Sequence, residues 1–384
     1  MANKKKLIDY NGLEEYLGSF STAKWKESHN KRTLFEAYNQ LKINLRETQE
    51  DVVSGAMAAG IRDSLSVLEK EISECQKDQS AAYDITKKFL KDDHIIFLND
   101  HGPEHVKKVI ERAFVILKYT NENLSEFETF VLLCAIQIHD IGNILGRIQH
   151  EKNLHQIFDD KCKDIIIDSA EKRIIKCVAM SHGGKTIDGS KDTISSLCCC
   201  EPILGSNIRT RFLASILRFA DELSDDSTRA KRQALNLDIV GIDSKIYHNY
   251  SAVLHTVSII EDTENRDHCV KLVYELEAKQ LAKTYNVSGV QKYLLDEIYD
   301  RTLKMEQERR YCMKFMQPYI FINRISVTIN VYGSFAQPLS KISYELEDTA
   351  YPEQPMIGGI KSINSDIPSG EEELNIIRSK GEEI

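Results

Sequence analysis

The residues best suited to chemistry are His139 and Asp140, in the run Ile-His-Asp-Ile-Gly at 138–142. They close a segment whose other side chains are nearly all apolar: Phe130, Val131, Leu132, Leu133, Ala135, Ile136 and Ile138. A helix that is apolar all round is a buried helix. Placing an ionised carboxylate beside an imidazole there costs on the order of several kcal/mol unless a partner neutralises the charge. A lone pair of this kind reads most simply as a core histidine bonded to a capping aspartate, but this pair has company. His105 follows Gly102-Pro103-Glu104, a helix start with Pro in the first turn. Asp221 shares the face of Leu213 and Leu217 at i, i+4 spacing. Three inward polar sites on three helices would each need a partner of their own. One divalent cation held by His105, His139, Asp140 and Asp221 satisfies them all. Imidazole nitrogen with carboxylate oxygen suits Mn, Fe, Co, Ni or Zn, admits Mg, and leaves positions for water and a phosphate oxygen.

Two more histidines point the same way. His150 stands four residues before Leu154, on the stripe of Ile157 and Phe158, and His182 ends a helical stretch with Ile175, Val178 and Ala179 before Gly183-Gly184. Both read as active-site residues, the alternative being core histidines with satisfied hydrogen bonds. Glu151 adjoins His150 and can relay protons or orient the ring. Arg147, Lys185 and Arg229 stand near these positions in the chain and are the candidates for holding phosphate. His101 precedes Pro103, which favours a substrate contact over ligation.

The wording around these residues, "DHGPEHVKKV", "IHDIGN" and "LRFADELSDD", resembles the HD-domain superfamily of metal-dependent phosphohydrolases over roughly residues 85–235. "HGPEH", "HDIGN", "GRIQHE" and "MSHGG" are similar to the bacterial subgroup called HD-CE. The resemblance implies a mainly α fold with a helical catalytic core. It also implies one metal ion or two, since relatives use extra histidines for a second metal or to contact the phosphate and leaving group. The activity it implies is hydrolysis of a small nucleotide, foremost a deoxynucleoside triphosphate to nucleoside and triphosphate. The triphosphohydrolase pattern continues with "HxPFxH", whereas Asn143-Ile-Leu-Gly-Arg147 stands here. Cyclic-nucleotide or signalling-oligonucleotide phosphodiesterase activity is therefore the second reading, and a non-catalytic nucleotide sensor the third. The chain also lacks the "GYP" tripeptide of the cyclic di-guanylate subgroup, the GxxxxGK[ST] phosphate loop and GxGxxG.

These side chains must be carried by helices, which the apolar spacing predicts near 103–119, 125–141, 150–160, 168–182 and 207–223. The expected organisation is an N-terminal helical region at 1–95, the HD core at 96–235, a smaller α+β region at 236–345, and an acidic, poorly ordered tail at 346–384. In the first region Leu34, Ala37, Leu41 and Leu45 form one stripe and Ile61, Leu65, Leu68 and Ile72 a second, with Gly55 and Gly60 expected to separate a pair of helices. In the α+β region, strands are expected at 252–260, 269–276 and 325–331, with a helix from Ser288 to about 316 between them. The tail is assigned on its Pro and Gly content and on Glu371-Glu372-Glu373.

Composition narrows the partners. A net charge of −9 offers no basic field to long nucleic acids or anionic membranes, so the expected partner is a small nucleotide, with a homo-oligomer also open. Neither a secretion signal nor a run of about 18 apolar residues is evident, which points to the cytoplasm. Nine cysteines without CxxC pairs read as reduced structural thiols, the run Cys198-Cys199-Cys200 included.

Overall fold

The computed structural model describes residues 6–20, 24–74, 102–145, 150–227, 242–262, 267–287, 289–347 and 359–380. Its helices are α1 Leu13–Gly18, α2 Leu34–Glu74, α3 Pro103–Lys118, α4 Glu126–Ile138, α5 His150–Cys162, α6 Ser169–Met180, α7 Thr210–Glu222, α8 Ile242–Val253, α9 Ala278–Leu281, α10 Leu294–Met316 and α11 Gly370–Ser379. The strands are β1 Glu201–Ile203, β2 Ser206–Ile208, β3 Leu254–Asp262, β4 Asp267–Glu277, β5 Thr284–Val287, β6 Val290–Tyr293, β7 Ile322–Tyr332 and β8 Pro338–Glu347. The fold is mainly α, as the sequence predicts. The chain forms two compact units, one of Met1–Ala59, Asp100–Ser224 and Tyr311–Phe321, the other of Gly60–Asn99, Asp225–Arg310 and Ile322–Ile384.

The first unit is built around α4. Every residue from Phe127 to Ile138 is buried, because α1, α3, α6 and α7 pack against its sides. The stretch Glu126–Leu145 is long and apolar enough by composition to cross a membrane, and 89% of it is buried within the protein; its apolar surface serves the core. Ser125 caps α4, accepting from Glu128 N while Glu128 accepts from Ser125 N. Glu128 also accepts from Arg209, which precedes α7, at 2.7 Å from Nε and 2.9 Å from Nη2. This buried pair joins the starts of α4 and α7, each 13 residues long. At 1.5 Å rise per residue, two helices of equal length pinned at one end finish level at the other. There they carry His139-Asp140 and Asp221.

One expectation fails here. Gly55 does not end a helix, for α2 runs unbroken through Gly55 and Gly60. A Cβ at Gly55 would come within 2.9 Å of the Ile144 carbonyl oxygen, so this glycine admits a close neighbour. The roughly 1 kcal/mol that glycine costs a helix interior does not break a helix of 41 residues.

In the second unit the sheet runs β3-β4-β7-β8, with β4 and β7 parallel and the outer pairs antiparallel. The parallel pair requires a crossover, and α10 lies in that connection. The alternating strand at 325–331 is the middle of β7. The helix expected from Ser288 begins six residues later, at Leu294, because the residues before it form the β5–β6 hairpin, where Gly289 takes φ +86. In the expected tail, α11 is a capped helix with Leu374 and Ile377 buried. Asp296 accepts from Gly370 N at 2.9 Å, and Tyr299 Oη donates to Pro368 O at 2.8 Å, so both fasten its start to α10. Cys198, Cys199 and Cys200 are free thiols, and exposed. They precede the β1–β2 hairpin, whose inward residues are Ile203 and Ile208.

Candidate metal centre

Each predicted ligand sits where a helix begins or ends. His105 lies in the first turn of α3, behind Gly102 and Pro103. His139 is the C-terminal cap of α4 and keeps helical angles of φ −55 and ψ −38, so its ring continues the buried face. Asp140 begins the tight turn Ile141–Leu145, where Asn143 Nδ2 donates to Asp140 Oδ1 at 3.0 Å. A side chain at Gly142 would collide with the His150 carbonyl and come within 3.1 Å of Leu154 N. That glycine lets the His-Asp turn lie directly on the start of α5 and brings His150 to the site. His182 follows the end of α6, and Asp221 occupies the last turn of α7.

The six side chains form two clusters that share Asp140. In the first, His105 Nε2 lies 3.3 Å from His139 Nε2, 3.4 Å from Asp140 Oδ2 and 3.1 Å from Asp221 Oδ1. His139 Nε2 lies 3.3 Å from Asp140 Oδ2 and 3.8 Å from Asp221 Oδ1. In the second, His150 and His182 approach through Nε2 at 3.2 Å, and Asp140 Oδ1 lies 3.4 Å from the former and 3.7 Å from the latter. One carboxylate therefore gives one oxygen to each cluster. Asp221 and His150, 24% and 19% exposed, are the open members, and the other four side chains are 7% exposed or less. Solvent meets the site along that edge.

Burial opposes charge on His139, but the Asp140 and Asp221 carboxylates outweigh it and push the imidazole up to about 10. Burial, aided by His139 and His150, pushes His182 down to about 4. Burial alone would raise Asp221, yet hydrogen bonds from His105 and His139 hold it well below the ordinary carboxylate range. Without a cation His139 thus keeps a proton where a positive ion fits, while His182 stays neutral.

The donor set suits metal. His139 Nδ1 donates to Ile136 O at 2.8 Å and His182 Nδ1 to Ala179 O at 2.6 Å. These bonds fix both rings so that Nε2 faces the cluster, the arrangement by which protein carbonyls orient metal-binding histidines. Two imidazole nitrogens facing each other at 3.3 Å, with two carboxylate oxygens around them, could hold a divalent ion.

The remaining site expectations divide. Glu151 Oε2 stands 3.4 Å from His150 Nδ1, on the side of the ring away from the shared carboxylate, where it can orient the ring or relay a proton to it. Lys185 is exposed and has no placed contact with either cluster. His101, Arg147 and Arg229 lie outside the described residues. Sequence reasoning missed two positions. Asn143, three residues after Asp140, was marked by that i, i+3 spacing in a tight turn. Gly184, at φ +75, lies against the Glu151 carboxylate, a contact that no local pattern announces.

No curated protein and no solved structure matches the chain. The HD-CE family profile matches residues 95–304, more than half of the sequence, and the span includes all six clustered residues. The chain belongs to the HD-CE family.

Proposed function

We propose that the chain is a metal-dependent phosphohydrolase acting on a small nucleotide, and that His105, His139, Asp140 and Asp221 hold one divalent cation while Asp140, His150 and His182 hold a second. The observation that carries this reading is the division of Asp140, Oδ2 toward one histidine pair and Oδ1 toward the other. Divalent cations bound there supply an acidified water and positive charge for phosphate oxygens. The chain's own residues do the rest. Ile136 O and Ala179 O hold the His139 and His182 rings, Asn143 holds the shared carboxylate, Glu151 holds His150, and the exposed edge between Asp221 and His150 admits the substrate.

Deoxynucleoside triphosphates are the leading substrates, with Arg147 and Lys185 as the proposed polyphosphate contacts and Arg229 and His101 as further candidates for substrate binding. Paired cation sites favour a second reading, since two cations can hold both the attacking and the leaving oxygen of an in-line displacement. That reading is a phosphodiesterase for a cyclic nucleotide or signalling oligonucleotide. The test is product analysis with Mn, Co or Mg present. Free triphosphate and bare nucleoside from a dNTP support the first reading, and a linear monophosphate from a cyclic substrate supports the second. No product from dNTPs, NTPs, cyclic or short linear oligonucleotides, with activating nucleotides added, would overturn both in favour of a nucleotide sensor.

A further inference from the structure

His182 lies just beyond α6, where Ala179 O of the helix accepts from its ring, and the backbone that precedes it is held from outside the helix as well. The backbone there is gripped from residues further along the chain. Thr193 Oγ1 donates to Ser181 O at 2.8 Å, and Arg218 Nη1 donates to the same hydroxyl at 2.9 Å and to Lys191 O at 3.2 Å. Arg218 is 6% exposed and stands one turn before Asp221 on α7. Its guanidinium lies 4.6 Å above the centre of the Tyr311 ring. Tyr311 Oη in turn donates to Asp192 Oδ1 at 2.8 Å and accepts from Ile194 N at 2.9 Å. At the other end of the same loop Gly184 walls the carboxylate of Glu151, which contacts His150. Residues 181–194 thus adjoin both histidines of the second cluster, through Ser181 next to His182 and Gly184 against Glu151, and Arg218 ties that loop to the helix bearing Asp221.

We propose that Arg218 is a positioning residue that, through Thr193, locks the loop after His182 and so sets the geometry of the His150–Asp140–His182 cation site. The inference rests on the reading of two cation sites. A guanidinium is the side chain that can span this place, because one rigid group reaches the hydroxyl and the Lys191 carbonyl while its plane covers an aromatic ring. Lysine keeps the charge and loses the span.

The test is titration of the full chain, first stripped with a chelator, with Co(II), followed by visible absorbance and calorimetry. The parent is expected to take two ions. Arg218→Lys and Thr193→Val are expected to bind the first with parental affinity and the second at least about tenfold more weakly, the range found when partners behind a metal ligand are removed. Arg211→Gln is the control. Arg211 pins the same loop further on, donating to Leu197 O and Ser195 O, each at 2.7 Å, and its loss is expected to leave both affinities unchanged. Parental affinity for both ions in Arg218→Lys and Thr193→Val would overturn the inference alone. Equal weakening of both ions, or the same selective loss in Arg211→Gln, would also overturn it, by showing general loosening. A parent that takes a single ion would overturn the two-site reading and the inference with it.

Discussion

Glu128 and Arg209 meet in a bidentate, largely buried ion pair, with side chains 4% and 15% exposed, at the common start of the two helices that end in His139-Asp140 and Asp221. The pair joins the two helices at the end far from the candidate metal ligands. Removing one partner strands a buried charge. Arg209→Met is therefore expected to cost about 3 kcal/mol in urea unfolding, and Glu128→Gln added to it should restore some of the loss. A change below about 0.5 kcal/mol, the ordinary effect of a surface substitution, would show that packing alone holds the two helices together.

Because Asp140 serves both clusters, it is the residue whose single replacement should empty both. Asp140→Ala is expected to retain no stoichiometric metal by elemental analysis and no turnover. His182→Ala should keep one ion per chain and lose turnover. Two ions retained in Asp140→Ala would place the ligands elsewhere, and parental kinetics in His182→Ala would return that histidine to the core.

The opposed shifts of His139 and His182 predict how the chelated protein responds to pH. His139 is raised from 6.5 to about 10, so its contribution is complete below 6.5 and is lost as pH rises through 10. His182 is lowered from 6.5 to about 4, so its contribution is complete above 6.5 and is lost as pH falls through 4. In His182→Asn the acid-side fall of the melting temperature should be shallower than in the parent, and in His139→Asn the alkaline-side fall. Identical profiles in all three proteins would contradict these shifts. The same proton on His139 must leave when metal binds near neutrality. Binding heats at a pH of about 7.5 should then vary with the ionisation heat of the buffer, and a buffer-independent heat would count against that displacement.

Gly142→Ala places a methyl group against backbone, the His150 carbonyl and Leu154 N, neither of which can turn aside. The start of α5 must move. The expected outcome is a loss of about 1–3 kcal/mol, the usual cost of overpacking, with the ion at the His150–His182 cluster lost before the other. An unchanged melting temperature and two bound ions would refute the close contact.

The clustered residues are legible in the sequence because chemistry contradicts surroundings at several of them. His139, Asp140 and Asp221 are polar residues on apolar faces, and His105 follows an evident helix start, so local pattern and burial cost point one way. What is not legible depends on partners distant in the chain. Gly55 reads as a breaker until Ile144 is seen against it. The acidic run Glu371–Glu373 reads as a solvated tail, yet it is the first turn of α11, where negative charge favours a helix start, and Ser369 with Glu372 forms its capping box. Strand β8 carries its alternation openly in Ile342, Tyr344 and Leu346. It escapes notice because the Pro and Gly residues nearby outweigh three apolar ones.

The first unit is drawn from three stretches of chain, and the last, Tyr311–Phe321, is made after β3 and β4 and before β7 and β8. Tyr319 reaches back from it to Asn121 and Phe212, and Tyr311 to Asp192. During synthesis all six clustered side chains leave the ribosome well before Tyr311 does. A nascent chain can hence gather His105, His139, Asp140 and Asp221 early, while the loop after His182 must wait for Tyr311 to arrive. Maturation of the centre acquires an order in time, written into the chain by where the last stretch of the first unit is encoded.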